Sequence, residues 1–185
     1  MALPLRKEKI DKEVRFVRHR AEVTMVVLQR LQNYLKIHHI PYAEMPHSTA
    51  YTAREVAENL HVPAKMFAKV VVVKADDRFV MAVLPSSWLV DLKRLEEVLG
   101  YSRVRLATED ELATLFPDCE IGTMPPFGNL YGLPVYVDEL LAKNEDMYFD
   151  AGTHNGAIKL RYQDFADRVH PQVAEFHREP TKLEY

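Results

Sequence analysis

Cysteine is almost missing from this 185-residue chain. Cys119 stands alone, which excludes an internal disulfide or a multi-cysteine zinc knuckle and is consistent with a reduced compartment. It reads as an ordinary loop position. Long apolar runs are missing too: no stretch approaches the roughly 20 residues that cross a bilayer, and the opening Met-Ala-Leu-Pro-Leu-Arg-Lys-Glu has no apolar block behind its charges. The expected location is cytoplasmic, with no membrane partner. Nor is there an excess of positive charge. The formal net charge is −3, which argues against a surface made throughout for nucleic acid. The eight histidines form no His-Glu-x-x-His and have no cysteine pair or dense Asp/Glu cluster beside them, so no metal site is recognisable. A phosphate loop and a Gly-x-Ser-x-Gly elbow are also lacking. No metal and no cofactor are expected.

What is present is ordinary for a chain that buries a core, with 48% apolar and 28% charged residues. The length suits one globular domain. Charge is unevenly spread: basic residues dominate between Arg6 and Arg20, and the remainder is acidic. That segment reads either as a grip on phosphates or as the solvated face of a helix.

Apolar residues recur at three- and four-residue steps from 7 to 39, predicting a long helix ended by Ile40-Pro41, and 42–47 can form a short strand. Thr52-Ala53-Arg54-Glu55 is a capping box opening a helix to about His61. The apolar runs 67–74 and 78–84, separated by Ala75-Asp76-Asp77, predict a hairpin with Lys69 in its first strand. Ser86 or Ser87 is the expected cap of a helix over 91–99, stopped by Gly100. A small strand at 103–106 follows, then a second capping box, Thr108-Glu109-Asp110-Glu111, whose helix stops before Pro117. The turn formers of 119–134 make that segment a shaped loop. Strands are expected at 135–138, 147–151 and 157–162, then a short helix around 163–167 and a polar tail. Hairpin-joined strands interspersed with helices favour a mixed sheet flanked by helices, an α+β fold loosely describable as α/β-like.

Three features carry candidate chemistry. Lys69, followed by four valines in a strand, points either to solvent at a sheet edge or into a cleft, because an unpaired buried ammonium is costly. In a cleft it can hold an anionic or carbonyl oxygen by charge-assisted hydrogen bonds. Gly122-Thr123-Met124-Pro125-Pro126-Phe127-Gly128 is either a plain structural turn or a stiff surface of backbone amides that a ligand can approach. Gly152-Thr153-His154 puts a histidine in a glycine-bounded turn, where it either contacts a ligand or serves the turn. His47 invites the same two readings.

In this order, Ala68-Lys69-Val70-Val71-Val72-Val73, the Gly122 to Gly128 loop and Gly152-Thr153-His154 resemble the YbaK/prolyl-tRNA synthetase-associated editing family. Its members have a lysine in an early core strand and a GxxxP loop running on into Phe-Gly. The resemblance covers about 24–168, including His47-Ser48-Thr49-Ala50 and Ala82-Val83-Leu84-Pro85. It leaves 1–23 as a basic helical N-terminal extension and 169–185 as a polar C-terminal tail.

The resemblance implies a cofactor-independent aminoacyl-tRNA deacylase acting in trans, which hydrolyses the ester bond of mischarged tRNA without a protein nucleophile. It implies Lys69 as the anchoring, polarising residue, with Gly122, Thr123, Met124, Pro125, Pro126, Phe127, Gly128, Gly152, His154 and His47 lining the aminoacyl pocket. The implied partners are a mischarged aminoacyl-tRNA and a synthetase in trans. Two other readings stay open: a non-catalytic binding or regulatory module of the same fold, and a hydrolase of small free aminoacyl esters or thioesters.

Overall fold

The computed structural model describes residues 29–181. The basic segment from Arg6 to Arg20, the N-terminal helical extension and the first part of the expected long helix lie outside the described residues, as do 182–185. Helix α1 is described over 29–37. It buries Leu31 and Leu35 completely, and it ends where His39 turns to positive φ and Ile40 N–H reaches Leu35 O at 2.9 Å. Strand β1 (Tyr42–Pro46) follows, then α2 (Ala53–Asn59), whose capping box is formed as expected: Thr52 takes Glu55 N–H, and the Glu55 side chain reaches back to the cap.

The predicted hairpin is β2 (Phe67–Ala75) and β3 (Arg78–Pro85), with Asp76 at positive φ giving its N–H to Arg103 O. One expectation needs correcting. Ser86 is buried and donates to Ala64 O, while β4 (Leu89–Val90) intervenes before α3 (Leu92–Leu99), so that helix is capped by Asp91 through Lys93 N–H and Arg94 N–H. Gly100 supplies the left-handed stop at φ 69°.

Beyond it come β5 (Val104–Leu106), α4 (Glu109–Leu115) with its own capping box, β6 (Val135–Asp138) and α5 (Glu139–Ala142). The chain continues through β7 (Asp146–Thr153), β8 (Gly156–Arg161) and α6 (Tyr162–Val169). The last expected segment was a polar tail. Instead it holds β9 (Gln172–Ala174), parallel to β6 at the sheet edge, and β10 (His177–Arg178), antiparallel to β4, with Phe176 fully buried between them.

The fold is α+β: a mixed eight-stranded sheet, order β1-β8-β7-β2-β3-β6-β9 with β5 also on β2, flanked by helices. Side-chain alternation assigns its two faces. Ala68, Val72, Met81, Val83, Val137, Met147, Phe149, Ile158 and Leu160 project to one continuous core, which α1, α6 and the loop before β6 cover. The opposite face is divided. Val73, Ala75, Ala82 and Leu84 pack with Leu95 of α3 and Phe176, whereas Phe67 and Ala157 pack with Val56 and Ala57 of α2. Between Phe67 of one cluster and Val71 beside the other stands Lys69. The residue thus falls at the seam between the two apolar clusters and belongs to neither.

Candidate functional site

Lys69 is half-buried on β2, opposite Leu84 of β3. Burial, and then the nearby positive charge of Arg178, push its pKa down to about 8. β2 lies inside the sheet between β7 and β3, and this half-buried position fits the cleft reading of the lysine better than the open-edge one. Arg178 comes from β10, inside the supposed tail, and was missed because its placement depends on a non-local pairing with β4.

The parallel pairing of β2 with β7 stops after Phe67↔Tyr148 and Ala68↔Phe149, so Lys69 and Asp150 are each the first residue past the last pair. Beyond that point the glycine-proline loop takes over the end of β7. Gly152 N–H donates to Thr123 O at 2.9 Å, and Glu120 N–H donates to Gly152 O at 3.1 Å. Glu120 also accepts His154 N–H at 2.7 Å. The turn is tied on to the segment before α2 by Ala50 N–H to His154 O and His47 N–H to Asn155 O. The structure thus joins Thr123, Gly152, His154 and His47 into one hydrogen-bonded assembly.

Within the loop the residues do different work. Gly122 is exposed at φ 94°, a conformation that favours glycine, and its neighbour Thr123 is buried, giving its hydroxyl to Glu120 O. Pro125 and Pro126 are buried. Met124 and Phe127 belong to the main core, and the Phe127 ring packs edge-on or tilted against Tyr34, Phe149 and Phe165, so any contact these two make with a ligand is through the main chain. Gly128 is a packing glycine: a Cβ there would meet Val135 Cγ2 at 2.5 Å and Leu133 O at 2.6 Å.

Both histidines are oriented by carbonyls. His154 Nδ1 lies 3.0 Å from Ala50 O and its ring sits against Tyr51, while His47 Nδ1 lies 2.8 Å from Ser48 O. A carbonyl only accepts, so each ring carries its proton on Nδ1 in these bonds and Nε2 is left as the acceptor when the ring is neutral. Among the described residues, His47 Nε2 is buried without a hydrogen-bond partner. So are Thr153 Oγ1 and Asp150 Oδ1 at the end of β7.

Asp150 carries no motif and was not singled out from sequence. The available signal was a carboxylate inside an apolar strand run. Burial raises its pKa from the usual 3.8 to about 7. Between those values the native state holds a proton that the unfolded chain has released, so this residue's contribution to stability falls as pH rises through that window and levels off above it. Asp150→Asn is therefore expected to be more stable than wild type by about 4 kcal/mol at pH 8 and nearly equally stable at pH 4. Urea unfolding at the two pH values measures this, and equal stability at both would refute it.

Cys119 gains nothing as a nucleophile. Its thiol lies 3.3 Å from Tyr131 Oη, and burial pushes its pKa up to about 12.

The family model of the aminoacyl-tRNA editing domain matches residues 47–167, well over half of the chain. The chain belongs to the aminoacyl-tRNA editing domain family. Within 47–167 lie Lys69, the glycine-proline loop and His154, the residues on which the resemblance rested. Curated relatives are larger proteins. The proline–tRNA ligase of Halalkalibacterium halodurans is 34% identical over 89 residues, and that of Bacillus cytotoxicus 30% over 88 residues. Each alignment covers 48% of this chain but only 15% of the ligase. A crystal structure of a protein proposed to be a trans-editing enzyme for prolyl-tRNA synthetase superposes with TM-score 0.71 at 24% identity, covering 82% of this chain and 97% of that one. At that identity the likeness shows the fold of the editing domain. Among the described residues, no helix is long and apolar enough to cross a membrane.

Proposed function

We propose that this editing domain is a trans-acting deacylase that hydrolyses the ester bond of mischarged aminoacyl-tRNA. The observation that carries the reading is the half-buried Lys69 at the seam of the sheet, one residue beyond the point where β2 and β7 part and the glycine-proline loop takes over the strand end. A desolvated cation polarises an ester carbonyl, or holds the anionic terminus of the tRNA, more strongly than an exposed one does. The loop main chain and the Nε2 atoms of His154 and His47 offer fixed dipoles to the aminoacyl group and to the water that attacks it. In this mechanism water adds to the ester carbonyl, the bond to the ribose oxygen breaks, and the amino acid leaves as the free acid. The implied partners are the mischarged tRNA and the synthetase that released it.

The test is a deacylation assay over a panel of mischarged tRNAs. Turnover of at least one member above the uncatalysed rate is expected. Tight binding of aminoacyl-tRNA with no hydrolysis on any member would replace the enzyme by a binding module, and turnover confined to small esters would move the substrate class.

A further inference from the structure

We propose that Asp150 recognises the α-ammonium group of the aminoacyl moiety, so that the site accepts esters of free amino acids and rejects those whose nitrogen is acylated. The inference rests on the deacylase reading above for its substrate class. It begins from a contrast among the buried carboxylates. Asp138 is hydrogen-bonded and paired with His177 at 2.9 Å, and Asp118, whose oxygens accept no hydrogen bond among the described residues, still has the Arg30 guanidinium at 3.0 Å. Asp150 is only 6% exposed, yet among the described residues it makes no ion pair, and its Oδ1 has no hydrogen-bond partner. A buried carboxyl is costly when ionised and unpartnered, so such a residue either stays neutral or awaits a cation from outside.

Its position says where that cation would come from. Alternation along β7 turns Met147, Phe149 and Ala151 to the main core, which leaves Asp150, like Tyr148, on the opposite face. This is the face of Lys69, and both residues stand just past the last β2–β7 pair. The unpartnered Thr153 Oγ1 and His47 Nε2 belong to the same strand end and the segment tied to it.

An aminoacyl ester carries an ammonium on the carbon next to its carbonyl. A site with a cation on one strand and a carboxyl on the next matches that polarity: Lys69 for the carbonyl oxygen, Asp150 for the nitrogen. Acylating the nitrogen removes the charge and two donors and adds bulk, leaving the carboxyl buried without a partner. A domain that cleaves aminoacyl-tRNA in this way spares esters carrying a growing peptide.

The test compares two stable probes, 3′-alanylamino-3′-deoxyadenosine and its N-acetyl derivative, binding to the full chain by calorimetry. Wild type is expected to bind the free-amine probe roughly 10- to 100-fold more tightly than the acetylated one, and Asp150→Asn to lose most of that difference while binding the acetylated probe as wild type does. Equal wild-type affinities for the two probes, no binding of the free-amine probe, or an equal loss for both probes in the variant would overturn the proposal. The wild-type comparison needs no variant and so survives a folding defect in Asp150→Asn. Because the probes are not hydrolysed, this result is independent of the tRNA panel that decides the deacylase reading.

Discussion

Lys69→Ala is expected to lower kcat/KM for deacylation by about 100- to 1000-fold, the usual loss when a group that stabilises a developing oxyanion is removed. The residue is half-buried on the inner stretch of a sheet, and a single methyl group in its place leaves the strand and its hairpin intact. The change should therefore appear in the rate and leave the melting temperature nearly unmoved. The acid–base behaviour gives a second handle. With a pKa of about 8, the ammonium loses its proton as pH rises through that value, so the enzymatic rate, corrected for background ester hydrolysis, should fall on the alkaline side. Lys69→Arg keeps a cation at every accessible pH. It should retain part of the rate, since its fork replaces a point charge, and it should lack the alkaline fall. A profile unchanged in Lys69→Arg, or a Lys69→Ala variant as active as wild type, would remove this lysine from the chemistry.

The largest expected loss of stability comes from Asp138, which is completely buried at the end of β6. One carboxylate there serves three elements: it caps α5 through Leu140 N–H at 3.0 Å, takes Phe176 N–H at 3.0 Å, and holds His177 Nδ1 at 2.9 Å. Asp138→Ala strands all three donors in an apolar surround and releases the β4–β10 pair from the sheet. We expect a loss of about 5 kcal/mol, which for a domain of this size lowers Tm by roughly 10–20 °C. Thermal unfolding followed by circular dichroism measures it, and a drop of under about 3 °C would show that the hub is dispensable.

The legibility of this protein tracked the range of the interactions concerned. Both capping boxes were readable because a threonine and a glutamate three residues on form a closed local unit, and the β2–β3 hairpin because two apolar runs meet across a short acidic turn. The cap of α3 was misplaced from Asp91 to Ser86 or Ser87 because all three are competent cap types, and the two-residue strand that separates them exists only through its pairing with β10. β9 and β10 were read as tail for the same reason: Gln172 to Ala174 has too little pattern of its own and becomes a strand because β6 presents it with an open edge. In the site, Lys69, the glycine-proline loop and His154 were visible as a motif. Glu120, Asp150 and Arg178 were not, because each matters through a neighbour distant in sequence.

The strands outside 47–167 change what counts as the folding unit. The matched stretch begins after β1 and ends before β9, yet these two form the outer borders of the sheet, and Leu31, Leu35 and Phe176 from the flanking segments fill its interior. A recombinant fragment trimmed to the homologous limits would present β6 and β8 as naked margins and invite one molecule to zip against the next.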